Sequence, residues 1–331
     1  MNDRSPSLSR RAALTRAGAF LGAAATLGPG VAAGAAAETA VAKPEDAFLF
    51  CLNTATIRGQ KLGLAREAEV AAKAGFHALE PWVDSIDGFA KSGGSLSDLK
   101  ARIRDLGLTV ESAIGFAEWL AEDDARRAKG LERAKRDMDL VAQLGGKRLA
   151  SPPSGATDRP VIELPKIAER YRTLLELGDQ MGVVPELELW GFSQNLHRLS
   201  ECAFVALETA HPSACVLADV FHLYKGGSDF RGVRLLSGQA LPVFHMNDYP
   251  SDPPRDKIND SFRVFPGDGT APLVQLLRDL ASTGGRKVLS LELFNRQYWE
   301  QEALDVARTG LDKMKAVVRK SLSGATAKPA R

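Results

Sequence analysis

From Phe48 onward the chain alternates short apolar runs with amphipathic stretches, and that rhythm leaves few folds open. Strands are expected at Phe48–Leu52, His77–Trp82, Thr109–Ile114, Lys147–Ala150, Val183–Leu189, Cys215–Val220, Leu241–Met246 and Lys287–Leu293. Helical patterns lie between them, including Leu64–Ala74, Ser97–Leu106, Asp124–Leu144, Pro165–Met181 and Ala271–Ala281. Gly75, Gly107, Gly145 and Gly182 stand where a helix must give way to the next strand, and each suits a helix C-terminal turn. Strands separated by helices form a parallel sheet, and eight such units in about 285 residues close into a barrel. The expected fold is therefore α/β, a (β/α)8 TIM barrel in a single domain. An open doubly wound sheet is the runner-up, but no Gly-rich phosphate loop follows the first strand. Two connections depart from the rhythm. The sixth carries only a short helix, Phe230–Leu236, and the seventh, Tyr249–Asp268, is long, rich in Pro and Asp, and expected to fold over the barrel mouth.

The first 37 residues do not belong to this pattern. Ser-Leu-Ser-Arg-Arg-Ala at 7–12 precedes a weakly apolar, glycine-rich run from Ala17 to Ala37. This resembles a twin-arginine export signal, with Arg10 and Arg11 read by the export machinery and Ala35-Ala36-Ala37 as the cleavage pattern. The expected division is a signal at 1–37, a linker at 38–46, the barrel at 47–320 and a disordered tail at 321–331. Gly22, Gly28, Pro29, Gly30 and Gly34 make the apolar run a poor membrane-spanning helix. The protein is thus expected in the periplasm or outside the cell. Export of this kind carries folded proteins, which suits an enzyme that takes up a metal before translocation.

Charge and cysteine content remove other classes. A formal net charge of +2, with basic residues scattered among acidic ones, offers no nucleic-acid stripe. Cys51, Cys202 and Cys215 are too few and too dispersed for a disulfide framework or a zinc ribbon, so buried free thiols are expected. A homo-oligomer is compatible with this composition.

Chemistry in such a barrel sits at the C-terminal ends of the strands. Four ionisable groups end apolar strands there: Glu188, Asp219, His245 and Glu292. Burying any one alone would cost several kcal/mol, of order ~4. Their separations of 31, 26 and 47 residues fit successive strand–helix units, the last lengthened by the seventh loop. Three carboxylates and an imidazole form an oxygen-rich set suited to Mn²⁺ or Mg²⁺, with Zn²⁺ or Co²⁺ as alternatives. Glu186 shares its side of the strand with Glu188, so parity does not separate the two; Glu188 is preferred as nearer the mouth. Around this set, His222 is placed to bond a substrate hydroxyl, Arg263 to clamp substrate oxygens, and Glu80 to bind substrate or cap backbone. Asn247 and Asp248 are expected to orient His245. Trp82, Trp119, Trp190 and Phe294 can wall a sugar face.

The ordered set Gly-Phe-His-Ala-Leu-Glu-Pro-Trp, Leu-Glu-Leu-Trp-Gly, Asp-Val-Phe-His, Phe-His-Met-Asn-Asp-Tyr-Pro, Phe-Pro-Gly-Asp-Gly and Leu-Glu-Leu-Phe-Asn resembles the sugar phosphate isomerase/epimerase family of xylose-isomerase-like barrels. The resemblance runs from Phe48 to about Lys315. It implies that Glu188, Asp219, His245 and Glu292 hold Mn²⁺ or a similar ion, that Glu188 and Glu292 double as acid and base, and that His222 contacts substrate. Epimerases of the family place an arginine six residues after the strand-seven histidine; Ser251 stands there in this chain. The AP endonuclease relatives use three zinc ions and many histidines, and five histidines in all exclude that branch. The implied activity is a metal-dependent sugar isomerase or epimerase working through an enediolate. The same groups would also serve β-elimination in a keto-glycoside lyase, and an exported sugar-binding protein is the non-catalytic rival. Export argues against a phosphorylated substrate, so a free sugar or polyol is expected.

Overall fold

The computed structural model describes residues 44–158 and 160–323, and every expected apolar run within them forms or contributes to a strand. The order begins β1 (Phe48–Asn53), α1 (Leu64–Ala74), β2 (Ala78–Glu80), α2 (Val83–Lys91), α3 (Leu96–Asp105) and β3 (Thr109–Val110). It continues α4 (Asp124–Leu144), β4 (Arg148–Ser151), α5 (Leu164–Met181), β5 (Val184–Glu188), α6 (Leu199–Glu208) and β6 (Val216–Asp219). The remainder is α7 (Val220–Lys225), β7 (Val243–Met246), α8 (Leu273–Ser282), β8 (Lys287–Leu291), α9 (Arg296–Trp299) and α10 (Ala303–Leu322). Side-chain caps start α4 and α3: Asp123 accepts the N–H of Arg126 at 2.7 Å, and Ser95 that of Asp98 at 3.2 Å. Gly75 and Gly145 end α1 and α4 at φ +95° and +86°, a backbone that side chains with a Cβ rarely adopt. Gly107 and Gly182 take the same left-handed form.

All strand pairs are parallel, in the order β3-β2-β1-β8-β7-β6-β5-β4. Ile114 joins the two ends, bridging Trp82 on one side and Ala150 on the other. Its N–H donates to Pro81 O and its carbonyl accepts from Val83 N, both at 2.9 Å. The barrel is closed, which excludes the open sheet. The third strand is shorter than expected and gives way to the polar pair Glu111-Ser112: Glu111 accepts from Lys147 Nζ at 2.6 Å and Ser112 donates to Glu186 Oε2 at 2.9 Å.

Period-two alternation decides what enters the barrel. Cys51, Ala78, Ile114, Ala150, Leu217, Val243 and Val288 form a small interior cluster, while the larger apolar side chains pack between strands and helices. Two residues beyond five of those cluster members come Asn53, Glu80, Asp219, His245 and Ser290, all fully buried. The interior is thus apolar below and polar toward the mouth.

The expected short sixth helix is a 3-10 turn, Phe230–Leu235. The long seventh loop does fold back: Asp248 pairs with Val264 in an antiparallel bridge, and its carboxylate accepts the N–H groups of Tyr249, Gly267 and Ala271 at 2.8–3.0 Å. Asp248 therefore fixes the loop, not His245 as expected. At the C-terminus α10 runs to Leu322, two residues past the expected boundary of the barrel. The expected export signal, most of the expected linker and residues 324–331 lie outside the described residues. Among the described residues no helix is long and apolar enough to cross a membrane, and all three cysteines are buried free thiols.

Candidate metal centre and active site

Asp219 ends β6, His245 sits opposite it in register on β7, and Glu292 directly follows β8. Neighbouring strands and shared parity bring one ligand atom from each to within 4.8 Å of the others. His245 Nδ1 lies 3.1 Å from Glu292 Oε2 and 3.8 Å from Asp219 Oδ2. Glu188, the last residue of β5, lies outside this trio but lines the same cavity as Glu292. Its Oε1 accepts from Trp190 Nε1 at 3.2 Å, and its Oε2 is buried without a partner. Glu186 points inward too, one layer deeper, with Ser112 on one oxygen and the Arg148 guanidinium at 3.8 Å. It lines no part of the cavity, which separates the two glutamates where parity could not.

Burial pushes Glu188 up to about 8; His245 opposes this, and the charges of Glu292 and Asp219 add to it. Burial would raise Glu292 as well, but His245 and then Arg263 hold it down at about 2. The two glutamates are thus shifted in opposite directions from their ordinary value. Burial raises Asp219, with Arg263 opposing. Burial disfavours the charged ring of His245, yet Glu292 and Glu80 raise it well above its ordinary value. The donor chemistry and the orphaned Oε2 of Glu188 fit a divalent cation: two carboxylates and an imidazole converge, and a third carboxylate lines the same cavity with one oxygen unpartnered.

Arg263, carried in by the folded-back loop, is buried and faces this centre. Its Nη1 donates to Asp219 Oδ2 and Glu292 Oε2, both at 2.9 Å, and its Nη2 lies 2.5 Å from Asp260 and 3.2 Å from His222 Nε2. His222 Nδ1 accepts the N–H of Gly191 at 3.3 Å. Burial and Arg263 depress its pKa well below the ordinary value, so the ring is neutral. Both residues line the cavity, where substrate contact was expected. Glu80 does not. Its Oε2 accepts from Ser290 Oγ at 2.6 Å and Asn53 Nδ2 at 2.9 Å and stands 3.1 Å from His245 Nε2, so it supports the histidine from behind and is no substrate contact. Asn247 likewise serves a different partner from the one expected, donating to Asp219 Oδ2 at 2.9 Å.

Asn53, Ser290 and Asp260 were not anticipated. Asn53 donates to both Glu80 and Glu292, at 2.9 and 3.2 Å, and is a polar residue ending an apolar strand, the signal that marked the other four. The cavity holds about 210 Å³ and is walled by Trp82, Phe116, Trp190, Phe192 and Phe294 above the polar floor. Successive ring centroids lie 5.2–6.1 Å apart. Trp119 is instead buried in the core, donating to Pro152 O at 2.7 Å.

Residues 68–317 match the xylose isomerase-like TIM barrel family. The chain belongs to that family. As a xylose isomerase-like barrel it is similar to the inosose isomerase of Bacillus velezensis, 26% identical over 276 residues that cover 82% of this chain and 97% of that one. It is also similar to the 3-dehydroshikimate dehydratase of Pseudomonas putida, 26% identical over 234 residues, 70% of this chain and 36% of the dehydratase. Among solved structures, the IOLI protein with a bound zinc atom superposes with a TM-score of 0.76 at 22% identity, covering 82% of this chain and 99% of that one. The named relatives of this barrel are enzymes, an isomerase and a dehydratase.

Proposed function

We propose that this protein is a divalent-metal-dependent isomerase or epimerase of a sugar or polyol ketone, exported through the twin-arginine route. The observation that carries the reading is the pairing of the Asp219–His245–Glu292 ligand trio with a second glutamate, Glu188, lining the same cavity as Glu292. Asp219, His245, Glu292 and Glu188 would hold the ion, with Mn²⁺ the first choice for an oxygen-rich set. When bound, the ion stabilises negative charge that builds on substrate oxygens. Glu292, a carboxylate, takes the proton from the carbon beside the carbonyl and leaves an enediolate. Glu188 gives a proton back, to the neighbouring carbon in isomerisation or to the other face in epimerisation. His222 and Arg263 orient substrate oxygens, and the aromatic wall excludes water.

A second reading is dehydration by β-elimination, favoured by the likeness to a dehydratase. In it Glu292 takes the proton beside the carbonyl, and the hydroxyl on the next carbon takes up a proton and leaves as water, with Glu188 as the group placed to deliver it. The test is deuterium incorporation from D₂O into candidate sugars by metal-loaded protein, followed by mass. Glu292→Gln at saturating Mn²⁺ should slow exchange ~10²–10⁴-fold, because an amide cannot accept the proton. Exchange at the wild-type rate would reduce Glu292 to a ligand and end the two-glutamate mechanism.

A further inference from the structure

We propose that Arg58 binds a carboxylate on the substrate, so that the enzyme acts on an acidic sugar or polyol ketone in preference to a neutral one; the inference rests on the functional reading above. Arg58 lies in the 3-10 segment Thr54–Gln60, which follows β1. Its guanidinium carbon sits 3.6 Å from the ring centroid of Trp82, a wall of the cavity. Stacking uses the face of the guanidinium and leaves its N–H edge free. That edge makes no hydrogen bond and no ion pair among the described residues. The carboxylate that acts on it most strongly is Glu292, on the cavity floor.

The backbone that carries Arg58 is fixed. Thr56 Oγ1 donates to Leu291 O at 2.8 Å and accepts from Leu293 N at 3.1 Å, on either side of Glu292. Trp299 Nε1 donates to Ala55 O at 3.0 Å. A Cβ at Gly59 would come within 2.1 Å of Trp299, so that glycine lets α9 pack directly against the segment. Thr54, Ala55, Thr56 and Ile57 are buried while Arg58 reaches solvent. An exposed arginine on a held backbone, stacked on Trp82 with its fork unspent, offers two-point bonding to a planar anion.

The cavity is lined by Glu188, Asp260 and Glu292, and its single lining cation, Arg263, is already shared among Asp219, Asp260 and Glu292. An anionic substrate entering past these carboxylates needs a cation of its own at the wall. One guanidinium matches one carboxylate in charge and in its two-point geometry, whereas a phosphate dianion would remain half compensated.

The test is calorimetric titration of the metal-loaded full chain with D-glucuronate and D-glucose, which differ at one carbon. Wild type should prefer glucuronate by about tenfold or more, as for a charged hydrogen-bonded contact. Arg58→Met keeps the apolar stack on Trp82 and should bring the ratio to within about twofold. Arg58→Lys keeps the charge but not the fork, and should retain only part of the preference. No preference in wild type, or one that survives in Arg58→Met, overturns the proposal, since the carboxylate would then bind elsewhere. Tighter Arg58-dependent binding of glucose 6-phosphate than of glucuronate overturns the carboxylate assignment. Loss of deuterium exchange with every sugar, while Arg58-dependent glucuronate binding persists, refutes the isomerase reading and leaves this site standing.

Discussion

Glu80 Oε2 stands 3.1 Å from His245 Nε2, behind the ring, while Nδ1 on the other side faces Glu292. A carboxylate there holds a proton on Nε2 and leaves the Nδ1 lone pair free for a metal. Glu80→Gln can instead donate its amide to Nε2, which moves the proton to Nδ1 and blocks ligation. Metal affinity, read by competition with a chromophoric chelator, should fall ~10–100-fold. The ¹⁵N shifts of the metal-free imidazole, followed upward in pH until the ring is neutral, should report the changed tautomer. Unchanged affinity and tautomer would leave Glu80 with a packing role only.

Metal uptake should release protons. Glu188 sits at about 8 and His245 well above its ordinary value, so both are largely protonated at pH 7. Ligation requires both to lose a proton, so affinity should rise with pH through about 8. Calorimetry in buffers of different ionisation enthalpy should show at least one proton released per ion at pH 7. Glu188→Gln should make the pH dependence shallower; an identical slope would remove Glu188 from the ligand set.

Glu67, buried in the first turn of α1, is raised to about 7 by burial, with Arg58 opposing. Its folded pKa lies above the ordinary 4.5, so the folded state holds a proton that the unfolded state has lost between those values. Stability contributed by this group is therefore present below pH 4.5 and lost as pH rises through 7. Glu67→Gln should stabilise the protein by about 1–3 kcal/mol at pH 8 and by little at pH 4.5. Urea unfolding at the two pH values checks it, and equal effects would contradict this account.

Export should depend on the arginine pair, because the receptor reads both guanidinium groups. Arg10→Lys with Arg11→Lys should leave precursor in the cytoplasm, measured by fractionation and immunoblot. Unchanged appearance of the double variant in the periplasm would rule out the twin-arginine route.

The alternation of apolar runs and amphipathic stretches was sufficient to place the strands and the barrel, because both signals are local. A strand's parity is set by the residue itself, so Asp219, His245 and Glu292 were legible as inward-facing polar groups at strand ends. Depth along the barrel axis is not local. It depends on the stagger between neighbouring strands, and only the closed sheet put Glu80 behind His245 and Glu186 a layer below Glu188. The path of the seventh loop was equally hidden, because the backbone bonds of Asp248 decide it, and they bring Arg263 and Asp260 into the site from 44 and 41 residues beyond Asp219. The sequence by itself determined which side chains would be buried and what chemistry they carry. The tertiary structure alone decided which of them meet, since contact between residues far apart in the chain follows from register and loop path and not from any property of the residues singly.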